Sequence, residues 1–204
     1  MNNAYENIPD QHEGEVSDVI HFADAETQQQ AHQLFLLAKS RLKDISNWHQ
    51  LSGPGSSKFS LADAQGNELY RMAEKDDHFY IDLPAPGTIA GGGLDWVVIE
   101  AIDEVADANA ESEYITMRVR PVVNPKNRDT SIAHFFTHQS TNTFIVERYL
   151  NHVSAAVHGR NEVPNNKDTG LYDSVRNTII ALGARNGLSG PQWKALVVGL
   201  LKTE

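Results

Sequence analysis

Thr141-Asn142-Thr143-Phe144-Ile145-Val146-Glu147-Arg148-Tyr149-Leu150-Asn151-His152-Val153-Ser154-Ala155-Ala156-Val157-His158-Gly159-Arg160-Asn161-Glu162 holds two strand-forming runs separated by three residues. β-Branched and aromatic side chains fill the first run, and the second alternates apolar and small residues. Residues 141–148 and 152–158 are therefore expected as strands, with Tyr149-Leu150-Asn151 as the turn of a hairpin. A connection this short makes the pair antiparallel, because parallel strands need a crossover of about a dozen residues or more.

The same reading extends upstream. Residues 58–61, 68–72, 79–83, 96–102 and 114–123 carry strand-like apolar runs, with turns at Gln65-Gly66-Asn67 and Lys75-Asp76-Asp77. No helical pattern intervenes between these runs, so successive strands should pair antiparallel. Residues 16–22 are a further short strand. A helix comes next, with Asp24 as its expected N-cap and Thr27 three residues on. Ala31, Leu34, Phe35, Ala38, Leu42 and Ile45 give it one apolar stripe, and it should end near Ser46-Asn47. Gly53-Pro54-Gly55 is a breaker.

Two helices are expected at the C-terminal end. One covers 169–184, with Leu171, Val175, Ile179 and Leu182 on its face and Gly187 as its stop. The other starts at Ser189 as N-cap, with Pro191 in the first turn. Trp193, Leu196, Val197 and Leu200 form its apolar side. The fold class is α+β. It has a curved antiparallel sheet or small β-barrel-like core of about six to seven strands, with one N-terminal and two C-terminal helices packed on it. Residues 1–14 read as a flexible leader and residues 15–204 as one domain.

Composition removes several function classes. There is no cysteine among the 204 residues, hence no disulfide, thiolate metal site or thiol nucleophile. The start Met1-Asn2-Asn3-Ala4-Tyr5-Glu6 lacks the basic and apolar parts of a secretory signal. No apolar run approaches the ~18 residues of a membrane span. A cytoplasmic protein is expected.

The net charge of -10 is uneven. Residues 1–30 hold seven acids and residues 95–113 seven more, neither stretch with a Lys or Arg. From Tyr114 onward eleven bases face six acids. The bases are dispersed and do not interleave with aromatics, so nucleic acid is not an expected partner.

The hairpin also carries the first candidate site. On a regular strand His158, Arg160 and Glu162 share one face, opposite Val153, Ala155 and Val157. A titratable ring, a cation and a carboxylate would then meet on one surface. The arginine could hold an anion through its fork, and histidine with glutamate could do acid–base work. The bland alternative is a local Arg–Glu pair at a strand end. Arg118 and Arg120 alternate on one strand face, either lining an anion site or pairing across strands with acids such as Glu100. His134 and His138 have the i, i+4 spacing of a helical metal pair, but no Glu follows His134 and no third ligand is evident. A Phe-Phe pair between them would otherwise plug the core. Gly91-Gly92-Gly93 lacks the Lys-Ser/Thr of a phosphate loop, and no nucleophile elbow occurs. No cofactor motif is present. Trp48 and Trp193 are core residues or, if a barrel is open, walls of an apolar pocket.

The blocks Asp95-Trp96-Val97-Val98-Ile99-Glu100 and Met117-Arg118-Val119-Arg120-Pro121 resemble strands of small SH3-like barrels, a resemblance that implies a small antiparallel core and transfers no functional residue. The expected function is a non-enzymatic binding module for a small anionic or amphipathic ligand or a peptide, with Arg118, Arg120, His158, Arg160 and Glu162 as its polar contacts. The alternatives are an adaptor or inhibitor working through the acidic N-terminal half, and a hydrolase using His158 and Glu162.

Overall fold

The computed structural model describes residues 3–83, 90–127, 130–165 and 189–203. Its strands are β1 (Glu15–Asp24), β2 (Lys58–Ala62), β3 (His78–Asp82), β4 (Asp95–Val105), β5 (Ser112–Pro121), β6 (Thr141–Tyr149) and β7 (His152–Glu162). They form one sheet in the order β1-β7-β6-β5-β4-β3-β2, antiparallel throughout. The sheet is open, with β1 and β2 as its edges. The hairpin expected from 141–148 and 152–158 forms, its second strand running on to Glu162, with Tyr149 paired to His152 and Leu150 in a left-handed turn conformation (φ 53°).

Helix α1 (Gln28–Lys43) crosses the inner face of the sheet. Its N-cap is Thr27 and not Asp24. The Thr27 hydroxyl accepts from Gln30 N–H while the Gln30 side chain accepts from Thr27 N–H, a reciprocal capping box. Asp24 is still strand, paired with His152. The expected apolar stripe is correct, since Ala31, Leu34, Phe35, Ala38 and Leu42 are all buried. The helix stops at Lys43, earlier than expected, and a single 3-10 turn (Ile45–Asn47) leads into the short helix α2 (Trp48–Ser52). Residues 68–72 are not a strand. They make one isolated bridge, Ala62 to Glu68, and Tyr70 is exposed.

Helix α3 (Ser189–Leu201) closes the inner face, with Leu196, Val197, Leu200 and Leu201 buried. Gly199 lets α3 lie close against α2, because a Cβ there would lie 2.3 Å from the Leu51 carbonyl oxygen. The Arg41 guanidinium donates to the carbonyls of Gly199, Leu200 and Lys202 at 3.2, 3.1 and 2.6 Å. Those are end carbonyls that the helix itself cannot satisfy. The helix expected over 169–184 lies outside the described residues.

Trp48 anchors the core between these layers. Its ring meets Phe59 and Phe144 with centroids 5.3 and 4.8 Å apart, and its N–H donates to the Arg41 and Leu42 carbonyls. Burial of each such side chain is worth about 1.5–3 kcal/mol.

The outer face of the sheet is covered in part by residues 3–14. Ala4, in a 3-10 turn (Ala4–Asn7), packs with Tyr114, Ile145 and Ala156. Asn161 ties the next stretch down, its carboxamide oxygen accepting from His12 and Glu13 N–H and its NH2 donating to the Asp10 carbonyl.

Candidate functional site: the inner cavity and the polar outer face

β7 decides where the polar side chains go. Val153, Ala155 and Val157 face the core, so His158 and Arg160 face outward. The alternation then breaks. Ser17 of β1 pairs with Gly159 while Glu15 pairs with Glu162, so Val16 alone stands opposite both Arg160 and Asn161. Asn161 takes up the extra residue in a left-handed conformation (φ 56°). One added residue reverses the facing of every later residue in the strand. Glu162 therefore turns to the inner face, and the expectation that it shares a surface with His158 and Arg160 is corrected. Gly159 makes room for it, since a Cβ there would lie 2.3 Å from Glu162 Oε1 and 2.2 Å from Ser17 Oγ.

Glu162 lines a cavity of about 540 Å³ between the sheet and α3. Phe79, Ile81, Val97, Val119 and Phe144 of the sheet form its floor, and Trp193 and Ala195 of α3 form its roof. Phe135, Phe136 and His134 close one side, and the Pro54-Gly55-Ser56-Ser57 loop closes another. Ser57 Oγ donates to Gln192 Oε1 at 2.9 Å, tying that loop to α3.

Among the described residues, the polar side chains in the cavity lining are Glu162, Asn142, His134, Gln192 and four serines. Glu162 Oε1 accepts from Ser17 Oγ at 3.0 Å. Burial pushes its carboxyl above the ordinary value, against the Ser17 hydroxyl and the Arg160 charge, which pull it down. Asn142, the register partner of Gly159, also lines the cavity, and its buried Oδ1 has no hydrogen-bond partner among the described residues. His134 Nδ1 accepts from Phe136 N–H at 3.0 Å. No Lys or Arg lines the cavity among the described residues.

The expected cations stand on the other side of the sheet, each with a partner. Arg160 donates to Asp18 Oδ1 at 2.8 Å, and His158 Nδ1 meets the same oxygen at 2.6 Å. The Tyr5 ring covers His158 edge-on, centroids 5.5 Å apart. Burial alone would push the Asp18 carboxyl up, but the hydrogen bonds from His158 and Arg160 outweigh it and hold the group below its ordinary range. Arg118 and Arg120 both donate to Glu100, Arg118 Nε at 3.1 Å. Arg120 also donates to the His138 carbonyl at 2.7 Å. These two arginines are a cross-strand ion-pair cluster and not a vacant anion cradle.

His134 and His138 are not on a helix. They sit in irregular chain, His134 buried and His138 exposed, so the i, i+4 geometry that would aim both rings at one ion does not arise. No group of three or more metal-binding side chains occurs among the described residues. No helix among them is long and apolar enough to cross a membrane.

Sequence reasoning did not pick out Asn142, Ser17 or Gly159 as parts of a site. The available signal was the run His158-Gly159-Arg160-Asn161-Glu162 itself, in which a glycine and an αL-tolerant asparagine mark a bulge.

No protein-family model and no curated protein sequence matches the chain. Solved structures do align with it. Norcoclaurine synthase from Thalictrum flavum matches at 10% identity over 96% of this chain and 100% of that one, with a TM-score of 0.35. A protein from Arthrobacter aurescens matches at 9% identity over 91% and 85%, with a TM-score of 0.39. One from Staphylococcus epidermidis matches at 14% identity over 94% and 96%, also at 0.39. At these scores the likeness carries nothing about ligand or reaction. The class is defined by the chain's own topology, an α+β fold in which an open seven-stranded antiparallel sheet holds a C-terminal helix on its inner face.

Proposed function

We propose that the protein is a binding module that holds a small, largely apolar molecule between its sheet and α3. The observation that supports this reading is the cavity of about 540 Å³, walled by aromatic and aliphatic side chains with a few convergent polar groups. That size and lining are typical of small-molecule sites. An anionic ligand, one of the expected classes, is not favoured, because Arg118, Arg120, His158 and Arg160 are engaged on the opposite face and the cavity's own charge is an acid. A hydrolytic pair of His158 and Glu162 is disfavoured for a related reason, since the bulge puts the two on opposite faces. Acids of the N-terminal stretch are partly engaged within the chain, Asp18 with His158 and Arg160 and Asp24 with His152.

Isothermal titration with octan-1-ol tests the reading. Saturable binding with a negative heat-capacity change is expected, the signature of apolar surface leaving water. The substitution Ala195→Trp, which fills the cavity from α3, should abolish that binding while thermal unfolding stays cooperative. Absence of saturable heat at several temperatures in the unsubstituted protein would overturn the proposal.

A further inference from the structure

The chemistry of the cavity's polar end restricts the ligands it accepts. Glu162 contributes the only formal charge in the lining among the described residues, and its carboxylate lies over Gly159. Asn142 stands across from Gly159 on the neighbouring strand, so its amide and the carboxylate flank the same glycine. Register partners in an antiparallel pair are about 4.5–5.5 Å apart at Cα. Among the described residues the carboxylate receives one hydrogen bond, that of Ser17, and a carboxylate has about four lone-pair positions. The Asn142 oxygen receives none. Two acceptors thus flank Gly159 at one end of a mainly apolar chamber with no cation in its described lining. Arg160, whose charge acts on Glu162, turns its guanidinium to Asp18 on the other face.

Resting on the cavity reading above, we infer that the ligand carries an amine head group on an apolar body, with its N–H donors on Glu162 and Asn142. An ammonium supplies up to three donors and the charge that matches the carboxylate, whereas an alcohol supplies one donor and no charge. A carboxylate ligand would bring a like charge against Glu162 in a poorly solvated site. The apolar body would lie along Phe79, Phe144 and Trp193.

Titration of the full chain with octan-1-amine, octan-1-ol and octanoate tests this directly. The amine should bind about tenfold tighter than the alcohol, the size of one charge-assisted hydrogen bond beyond a neutral one, and octanoate weakest. Glu162→Gln should collapse the amine-to-alcohol ratio toward one, and Asn142→Leu should lower it severalfold. If the alcohol binds as tightly as the amine, or if the ratio survives Glu162→Gln, the inference is overturned while the cavity reading stands. If none of the three binds, both fall together. Alcohol binding to Glu162→Gln serves as the check that the variant has folded.

Discussion

Two carboxylates are buried on the same inner face of this sheet, and their surroundings could hardly differ more. Glu113, at the start of β5, is fully buried beneath α1. Arg148 of β6, equally buried, donates to it through Nε, and His32 of α1 meets it at 2.8 Å. Arg148 then donates to the Leu150 and Ala110 carbonyls at 3.0 and 2.8 Å, so its own donors are occupied as well. Glu162, at the other end of the sheet, has a serine hydroxyl and, among the described residues, no cation on its side. A buried acid with a complete set of partners holds elements together. One left without them faces a chamber, and it is a group that something else can complete. On the cavity reading proposed above, the contrast separates polarity that ties elements together from polarity left for a ligand, although both residues are glutamates on strands.

Glu113 should therefore be the more damaging one to alter. Glu113→Gln leaves the Arg148 charge buried without its counter-ion, and breaking such a pair costs about 3–5 kcal/mol. Urea unfolding should show that loss as a lower midpoint with little change in slope. Replacing both partners by apolar residues, as in Glu113→Leu with Arg148→Met, should recover most of it, because no charge is then stranded. If the single substitution proves as mild as one on the surface, the triad does not tie α1 to the sheet and the contrast with Glu162 disappears.

Glu162→Gln should change stability in the opposite direction and by less, about 1 kcal/mol or under. The sign comes from linkage. Burial raises the folded-state pKa of Glu162, so the folded chain takes up this proton at a higher pH than the unfolded chain does. Its contribution thus favours folding at acid pH and declines as pH rises from the ordinary carboxyl value, about 4.3, through the raised one. The variant should gain stability relative to the unsubstituted protein across that window and keep the gain above it. Glu147, also raised by burial, contributes a slope of the same sign that the substitution leaves in place. Unfolding curves of both proteins from pH 4 to pH 8 would measure the difference, and a variant that loses stability relative to the unsubstituted protein as pH rises would reverse the assignment of Glu162 as an uncompensated acid.

Most of the architecture was readable in the sequence because it rests on local periodicity. The 141–148 and 152–158 runs, the turn at Leu150 and the Ala31-to-Leu42 stripe each depend on residues within one or two turns of chain. The failures share a cause. Thr27 displaced Asp24 as the cap because β1 extends through Asp24, a pairing with residues more than a hundred positions away. The 68–72 run has strand-like residues but touches the β2 edge only at its start, through the Ala62–Glu68 bridge and the Leu69 N–H to Leu61 carbonyl bond. At the site, alternation placed His158 and Arg160 together correctly and misplaced Glu162. The error is one residue, the bulge at Asn161, whose conformation is held by the Gln11, His12 and Glu13 segment. Asn142 could not be picked out at all, since its meaning comes from lying opposite Gly159. Of the cations that read as an anion site, Arg118 and Arg120 take the cross-strand alternative the sequence offered, Glu100, whereas Asp18, which holds His158 and Arg160, comes from β1 more than a hundred positions away.

The outer face offers the smallest expected effects. Asp18, Arg160 and His158 form a cluster whose acid is 45% exposed, and exposed pairs of this kind are worth about 0.2–1 kcal/mol. Asp18→Asn should cost an amount in that range near neutral pH. Because its partners depress the folded-state pKa, the contribution is complete above the ordinary carboxyl range and is lost as pH falls through the lowered value, opposite in sign to Glu162. Added salt should shrink it, as screening requires. Arg160→Glu is the sharper form of the comparison. It reverses a charge on the outer face, at the residue next to Asn161, without entering the cavity, so octan-1-ol should still bind with an affinity within a few-fold of normal. A tenfold loss of alcohol binding would mean that the two faces are coupled through the bulge, and Glu162 would then answer to the outer cluster as well as to the cavity.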